Sequence, residues 1–128
     1  MPSWSRLFPG HPEQVAEARL FTRSVLLGRP EPETAELVVS ELATNALRHA
    51  ATGDPGGAFT VSVTVTQDRV MLAVDDLGSP GEPVIRNGNG EPPVSGLGLV
   101  LVASLAKEWG TTRTRSGCRG WAELSGAA

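Results

Sequence analysis

The sequence predicts an α+β fold, a two-layer α/β sandwich with helices on one face of a largely antiparallel, mixed sheet. Three observations carry that prediction. Apolar residues recur every three or four positions in the first part of the chain. The period then switches to two, and glycine and proline cluster between the periodic stretches. The resulting order is helix, helix, two strands, long loop, helix, two strands, a segregation typical of helices packed on an antiparallel sheet. With 128 residues and 13.4 kDa, the chain is long enough for one domain with a real core, 1–128, and too short for two.

Residues 1–11 read as an irregular arm or short strand. Pro12 suits the first turn of a helix, where its missing N–H has no partner to lose. Val15, Ala18, Phe21 and Val25 follow at helical spacing with Glu13, Glu17, Arg19 and Arg23 mostly between them, so an amphipathic helix ends near Gly28. Gly28-Arg29-Pro30-Glu31-Pro32 is a rigid break. A second helix is predicted from Glu33 to Ala50, with Ala35, Val38, Val39, Leu42, Ala46 and Ala50 as its buried stripe and Glu33 and Glu36 against its N-terminal dipole. After a glycine-rich loop, Phe59, Val61, Val63 and Val65 alternate with hydroxyl residues. Gln67-Asp68 then turns the chain into Arg69–Asp75, where Val70, Leu72 and Val74 repeat the alternation of a β-hairpin. Residues 76–95 hold four Gly and four Pro without periodicity; loops of about 20 residues in small domains are usually lids or binding segments. A third helix is predicted from Gly98 to Trp109 with Val100, Leu101, Leu105 and Ala106 inward. Thr111–Arg115 and Arg119–Leu124, joined at Ser116-Gly117, form a second hairpin.

Composition excludes several classes. Apolar residues at 40 % and charged residues at 20 % fit neither a disordered tail nor a coiled coil. A net charge of −3 and a pI near 5.3 argue against nucleic acid as a partner, which requires a basic face. The single cysteine, Cys118, forms no internal disulfide or zinc cluster. No apolar stretch follows the first six residues, so no secretory leader is expected. The longest apolar run, Gly96–Ala106, falls short of the ~20 residues of a membrane span. A soluble, cytoplasmic protein without membrane contact is the expectation.

Three motifs can carry chemistry. Glu41 and Asn45 lie four apart on the second helix, one above the other, and His49 continues the row. They read either as a solvated helix face or as a carboxylate that polarises a nucleophile beside an amide oxygen that holds a hard cation. Val74-Asp75-Asp76-Leu77-Gly78 ends a strand in acidic residues and a glycine turn; it is good turn chemistry, or a carboxylate placed to accept a hydrogen bond from a purine amine. Ser95-Gly96-Leu97-Gly98-Leu99 stands where the long loop becomes a helix, as a flexible joint or a phosphate cradle of backbone N–H groups. It is neither a Walker loop nor a full dinucleotide fingerprint. A methyltransferase reading of Val74–Gly81 fails because its doubly wound parallel sheet does not fit two hairpins in 128 residues.

Taken in order, helix with Glu-x-x-x-Asn, strand with Asp-x-Gly, long loop, Gly-x-Gly and helix, the chain resembles the GHKL (Bergerat-fold) ATPase/kinase superfamily over nearly its whole length. Leu37–Ala50 is similar to the N box of stand-alone anti-sigma factor serine/threonine kinases and related actinobacterial ATP-binding regulators. Phe8-Pro9-Gly10 and Gly120-Trp121-Ala122-Glu123-Leu124 also resemble that group. The resemblance implies an ATP- and magnesium-dependent kinase. Asn45 would hold the magnesium ion, Glu41 would act as general base, and Asp76 with Gly78 would receive the adenine. Gly96, Leu97, Gly98 and Leu99 would meet the phosphates, with 79–95 as the ATP lid. It further implies, as partners, a STAS-type anti-sigma factor antagonist as substrate and a sigma factor as the protein held; a homodimer is open. The alternative is an ATP-dependent binding module that holds a regulatory partner without phosphoryl transfer. The chain departs from the pattern at Pro80 and at Gly117-Cys118-Arg119, where relatives often carry a Gly-Thr or Gly-Lys pair beside the adenine. Cys118 reads as a strand residue, Arg113, Arg115 and Arg119 as a solvated sheet face or a basic strip, and Trp4, Trp109 and Trp121 as core or interface residues.

Overall fold

The computed structural model describes residues 2–29, 32–48, 57–78, 96–115 and 117–125. Its elements are β1 (Ser3–Pro9), α1 (Gln14–Val25), α2 (Pro32–Arg48), β2 (Ala58–Val65), β3 (Arg69–Gly78), α3 (Gly96–Leu105), β4 (Glu108–Arg113) and β5 (Cys118–Ser125). The strands form one sheet in the order β1-β2-β3-β5-β4, and all four pairings are antiparallel. The predicted fold class holds, with no parallel pair among the described residues.

Period-two alternation puts one set of side chains under the helices. Phe8, Phe59, Val61, Val63, Val65, Val70, Leu72, Val74, Ala122 and Leu124 share that face and are all buried. The helix layer meets them with Ala18 from α1, Leu26 just after it, Ala35, Val38, Val39, Leu42, Ala43 and Ala46 from α2, and Val102 from α3. Phe8 stacks on Phe59 at 5.3 Å between centroids and receives Phe21 edge-on at 6.0 Å. The opposite sheet face carries hydroxyls that bond across strands: Ser3 to Thr64 at 3.0 Å and Ser5 to Ser62 at 2.9 Å.

In α1 the buried positions are Ala18 and Thr22, and Leu26 just past its end continues the row four residues on, while Val15, Phe21 and Val25 are only partly covered. Thr22 is tolerated there because its hydroxyl donates to the Ala18 carbonyl at 2.9 Å. Gly28, at φ 84°, turns the chain toward α2, which opens on Pro32.

Several boundaries differ from the sequence expectation: α3 starts at Gly96 rather than Gly98 and β4 at Glu108 rather than Thr111, and two further differences are larger. β3 continues through Asp76 to Gly78, where a turn was expected. α3 ends at Leu105, and Trp109 belongs to β4. The Ala106 N–H still bonds the Val102 carbonyl at 2.8 Å, but the Lys107 N–H already bonds Glu123 at 2.8 Å, so the ladder to β5 captures the chain from there. Because Gly96–Leu105 is apolar all round, its sequence does not single out a buried face. Val102 is the fully buried residue, whereas Val100 and Leu105, expected inward, are exposed.

Candidate nucleotide-binding site

The three sequence motifs fall on elements that meet. α2 packs against β3, β5 and α3, so the helix carrying Glu41 and Asn45 is the common neighbour of the strand carrying Asp76 and the helix beginning at Gly96. The contact is tight where α2 crosses the sheet. A methyl group on Gly120 would stand 3.1 Å from Leu42 Cδ2, and Gly120 is the cross-strand partner of Val74, two residues before Asp76. Leu42 is flanked in sequence by Glu41 and, three residues on, by Asn45. The helix segment bearing both polar groups therefore lies over the part of the sheet that leads to Asp76.

Glu41 and Asn45 are both half-buried. The carboxamide oxygen Oδ1 of Asn45 is fully buried and has no hydrogen-bond partner among the described residues. Such an orphan acceptor costs about 1–3 kcal/mol, so its retention asks for a ligand that supplies positive charge or a donor. An amide oxygen is a hard donor suited to Mg²⁺, which keeps several waters and takes phosphate oxygens, so it needs few protein ligands. Among the described residues no cluster of His, Cys, Asp and Glu could hold a metal ion by itself.

Strand parity separates the two aspartates. Asp76 pairs with Phe59, faces the helix layer and is 3 % exposed. Asp75 faces the open side, where Arg119 donates to it twice, Nε to Oδ1 at 2.6 Å and Nη2 to Oδ2 at 3.0 Å. This bond raises the Arg119 pKa further above its ordinary value. Only Asp76 is thus directed toward α2. The β2–β3 register moves from Phe59–Asp76 to Ala58–Gly78, so Leu77 is an extra residue opposite one step of β2. A bulge of this kind locally releases the ladder and re-aims the strand. It falls on the Asp-x-Gly motif.

The β4–β5 turn closes the other side of Asp76. A Cβ built on Gly117 would lie 2.6 Å from the Asp76 carbonyl oxygen, 3.2 Å from its Cγ and 3.4 Å from Oδ2. Next to it the Cys118 thiol is half-buried; burial pushes its pKa up, the Arg113 guanidinium opposes the rise and the Asp76 carboxylate adds to it. Arg113 pairs with Cys118 while Arg119, one residue on, points to the opposite face, so these arginines form no single strip. Trp4 and Trp109 are 39 % exposed on the edge strands, and Trp121 lies across Gly110, whose added Cβ would meet its ring at 2.9 Å; none of the three is a core residue.

Gly78 ends β3, and Gly96, Leu97, Gly98 and Leu99 form the start of α3, a ten-residue helix whose first turn has no acidic side chain. The expected lid 79–95 and His49 lie outside the described residues. Sequence reasoning did not identify the bulge, the Asp75–Arg119 pair or the contact of Gly117 with Asp76. The doublet Asp75-Asp76 held a usable signal, since adjacent strand residues must face opposite ways.

No curated protein matches the chain. The model of the histidine kinase-like ATPase domain matches residues 8–119, a span that includes Glu41, Asn45, the Asp-x-Gly and Gly-x-Gly segments, all three helices and three of the five strands in full. A domain of this kind supports ATP binding, and the chain belongs to the histidine kinase-like ATPase (GHKL) family.

Proposed function

We propose that the chain is an ATP- and magnesium-dependent protein serine/threonine kinase acting as an anti-sigma or partner-switching regulator in the cytoplasm. Its substrate is a hydroxyl side chain on a STAS-type anti-sigma factor antagonist; phosphorylation of the antagonist frees the kinase to hold a sigma factor. The observation that carries the ATP and magnesium part is Asn45 Oδ1, a buried acceptor without a partner among the described residues, on the helix that touches both β3 and α3. The family match supports the nucleotide. The kinase class and the partners rest on the N-box resemblance of Leu37–Ala50.

Each role follows from chemistry and position. The Asp76 carboxylate accepts a hydrogen bond from the adenine amine, and Gly78 lets the base approach the end of β3. Backbone N–H groups at Gly96, Leu97, Gly98 and Leu99 meet the phosphates at the positive end of the α3 dipole. Asn45 Oδ1 holds magnesium, which when bound neutralises phosphate charge. Glu41, one turn before Asn45, accepts the proton of the attacking hydroxyl. Phosphoryl transfer needs mainly positioning and charge neutralisation, so few reactive side chains suffice.

Calorimetry with ATP, with and without magnesium, tests the binding step. Wild type is expected to bind magnesium–ATP, Asn45→Ala to lose the magnesium dependence, and Glu41→Ala to bind near normally. Equal magnesium–ATP affinity of wild type and Asn45→Ala overturns the ion assignment. Labelled ATP with STAS-domain antagonists tests transfer, which Glu41→Ala should abolish. Nucleotide-dependent retention of a partner without any transfer would favour the binding module instead.

A further inference from the structure

Asp76 pairs with Phe59 of β2 where the regular ladder of the sheet changes. The bulge at Leu77 breaks the regular ladder to β2, and the last paired rung toward β5 is Asp75–Arg119, one residue short of Asp76. Two features of the β4–β5 hairpin hold its tip against Asp76. The bidentate Arg119–Asp75 pair, with N···O distances of 2.6 and 3.0 Å, clamps the start of β5 to β3 on the open face. The hairpin tip is closed by the Thr114 N–H donating to the Gly117 carbonyl at 2.9 Å and the Gly117 N–H donating to Thr114 Oγ1 at 3.1 Å. Together they press Gly117 on Asp76 from the side opposite the bulge.

The contact leaves no room for a side chain. At Gly117 a Cβ would meet the Asp76 carbonyl oxygen at 2.6 Å, a separation that real Cβ atoms do not show, and the neighbour is backbone, which cannot rotate away. The carboxyl carbon at 3.2 Å would be pushed by the same methyl group. We infer that Gly117, held down by the Asp75–Arg119 pair, is a positioning residue that fixes the direction of the Asp76 carboxylate and thereby sets the purine selectivity of the site. This rests on the reading of Asp76 as the acceptor for the adenine amine. Discrimination between an amine and a carbonyl on the purine depends on where a single acceptor points, and a misplaced acceptor leaves polar groups unpaired. The hairpin tip, which itself offers no charged group at Gly117, therefore controls selectivity through backbone shape.

The test measures affinities of the full chain for ATP, GTP and inorganic tripolyphosphate, each with magnesium, in wild type, Asp76→Asn, Gly117→Ala and Arg119→Lys. Asp76→Asn is expected to lower the ATP-to-GTP affinity ratio by about tenfold or more. Gly117→Ala should lower the ratio in the same direction while tripolyphosphate affinity stays within about twofold of wild type. Arg119→Lys keeps the charge and loses the two-pronged geometry, so the ratio should fall less, by about threefold. A folded Gly117→Ala with an unchanged ratio, beside an Asp76→Asn that collapses it, overturns the positioning role and leaves the Asp76 assignment standing. Equal losses for all three ligands mark a structural role only and also overturn it. If Gly117→Ala does not fold, Arg119→Lys decides, and an unaltered ratio there overturns it. An unchanged ratio in Asp76→Asn overturns both readings together.

Discussion

Asn45 and Cys118 make opposite kinds of statement about single residues. The Asn45 carboxamide gives up stability in the empty protein, since its buried oxygen has no partner among the described residues. Replacing it by alanine removes that oxygen, so Asn45→Ala should leave the melting temperature of the empty protein unchanged or raise it, by up to about 1–3 kcal/mol of stability. Thermal melts without ligand check this, and a clear drop would mean the oxygen is satisfied in solution. The Cys118 thiol is held neutral by burial, with its pKa above the ordinary 9.0. A group whose folded pKa is raised stabilises the fold fully below its unfolded pKa, and that contribution is lost as pH rises toward the folded pKa. Wild type should therefore lose stability on the alkaline side faster than Cys118→Ala, as urea melts across that range would show. Since the chain has one cysteine, alkylation reports this position alone. Iodoacetamide should react slowly at neutral pH, and more slowly still with ATP bound, because the thiol stands beside Asp76 and only the thiolate reacts.

Among the elements, α2 joins the core to the site. Leu42 is 2 % exposed and lies between Glu41 and Asn45, against Gly120. Leu42→Ala should cost about 2–5 kcal/mol through lost burial and the cavity left behind, and it should weaken ATP binding in the surviving folded fraction. Denaturant unfolding with and without nucleotide separates the two effects. The same helix shows what was legible in the sequence. Ala35, Val38, Val39, Leu42 and Ala46 were readable as a stripe because a one-sided pattern of period 3.6 has a single way to be buried. β2 was equally legible from strict alternation. α3 was not, because a segment apolar on every side carries no phase, and the ladder of β5 rather than any local signal decided where it stopped. The bulge at Leu77 was hidden for a related reason: an extra residue is defined only against the partner strand, and Asp-x-Gly alone reads as a turn. Of the site, the residue types and their order were readable; the parity that assigns Asp75 to Arg119 and Asp76 to the helix layer needed the register.

At the scale of the whole molecule, β5 lies inside the sheet although every other element precedes it in the described chain. It satisfies the backbone of β3 on one side and of β4 on the other. A chain ending at Gly117 should thus lack ordered sheet, with two strands losing their shared partner, and far-UV circular dichroism would show it. For the intact chain, magnesium–ATP at a hundred times its Kd should add about 2.7 kcal/mol of stability and raise the melting temperature by several degrees, roughly 10 °C, in a thermal-shift titration. GTP should give a smaller shift. No helix among the described residues is long and apolar enough to cross a membrane. The interior place of β5 also ties ligand capture to the last step of sheet assembly. The wall of the site against Asp76 is formed by Gly117, in the turn that leads into β5, so a molecule whose β5 has frayed from β3 should lose nucleotide and stability together.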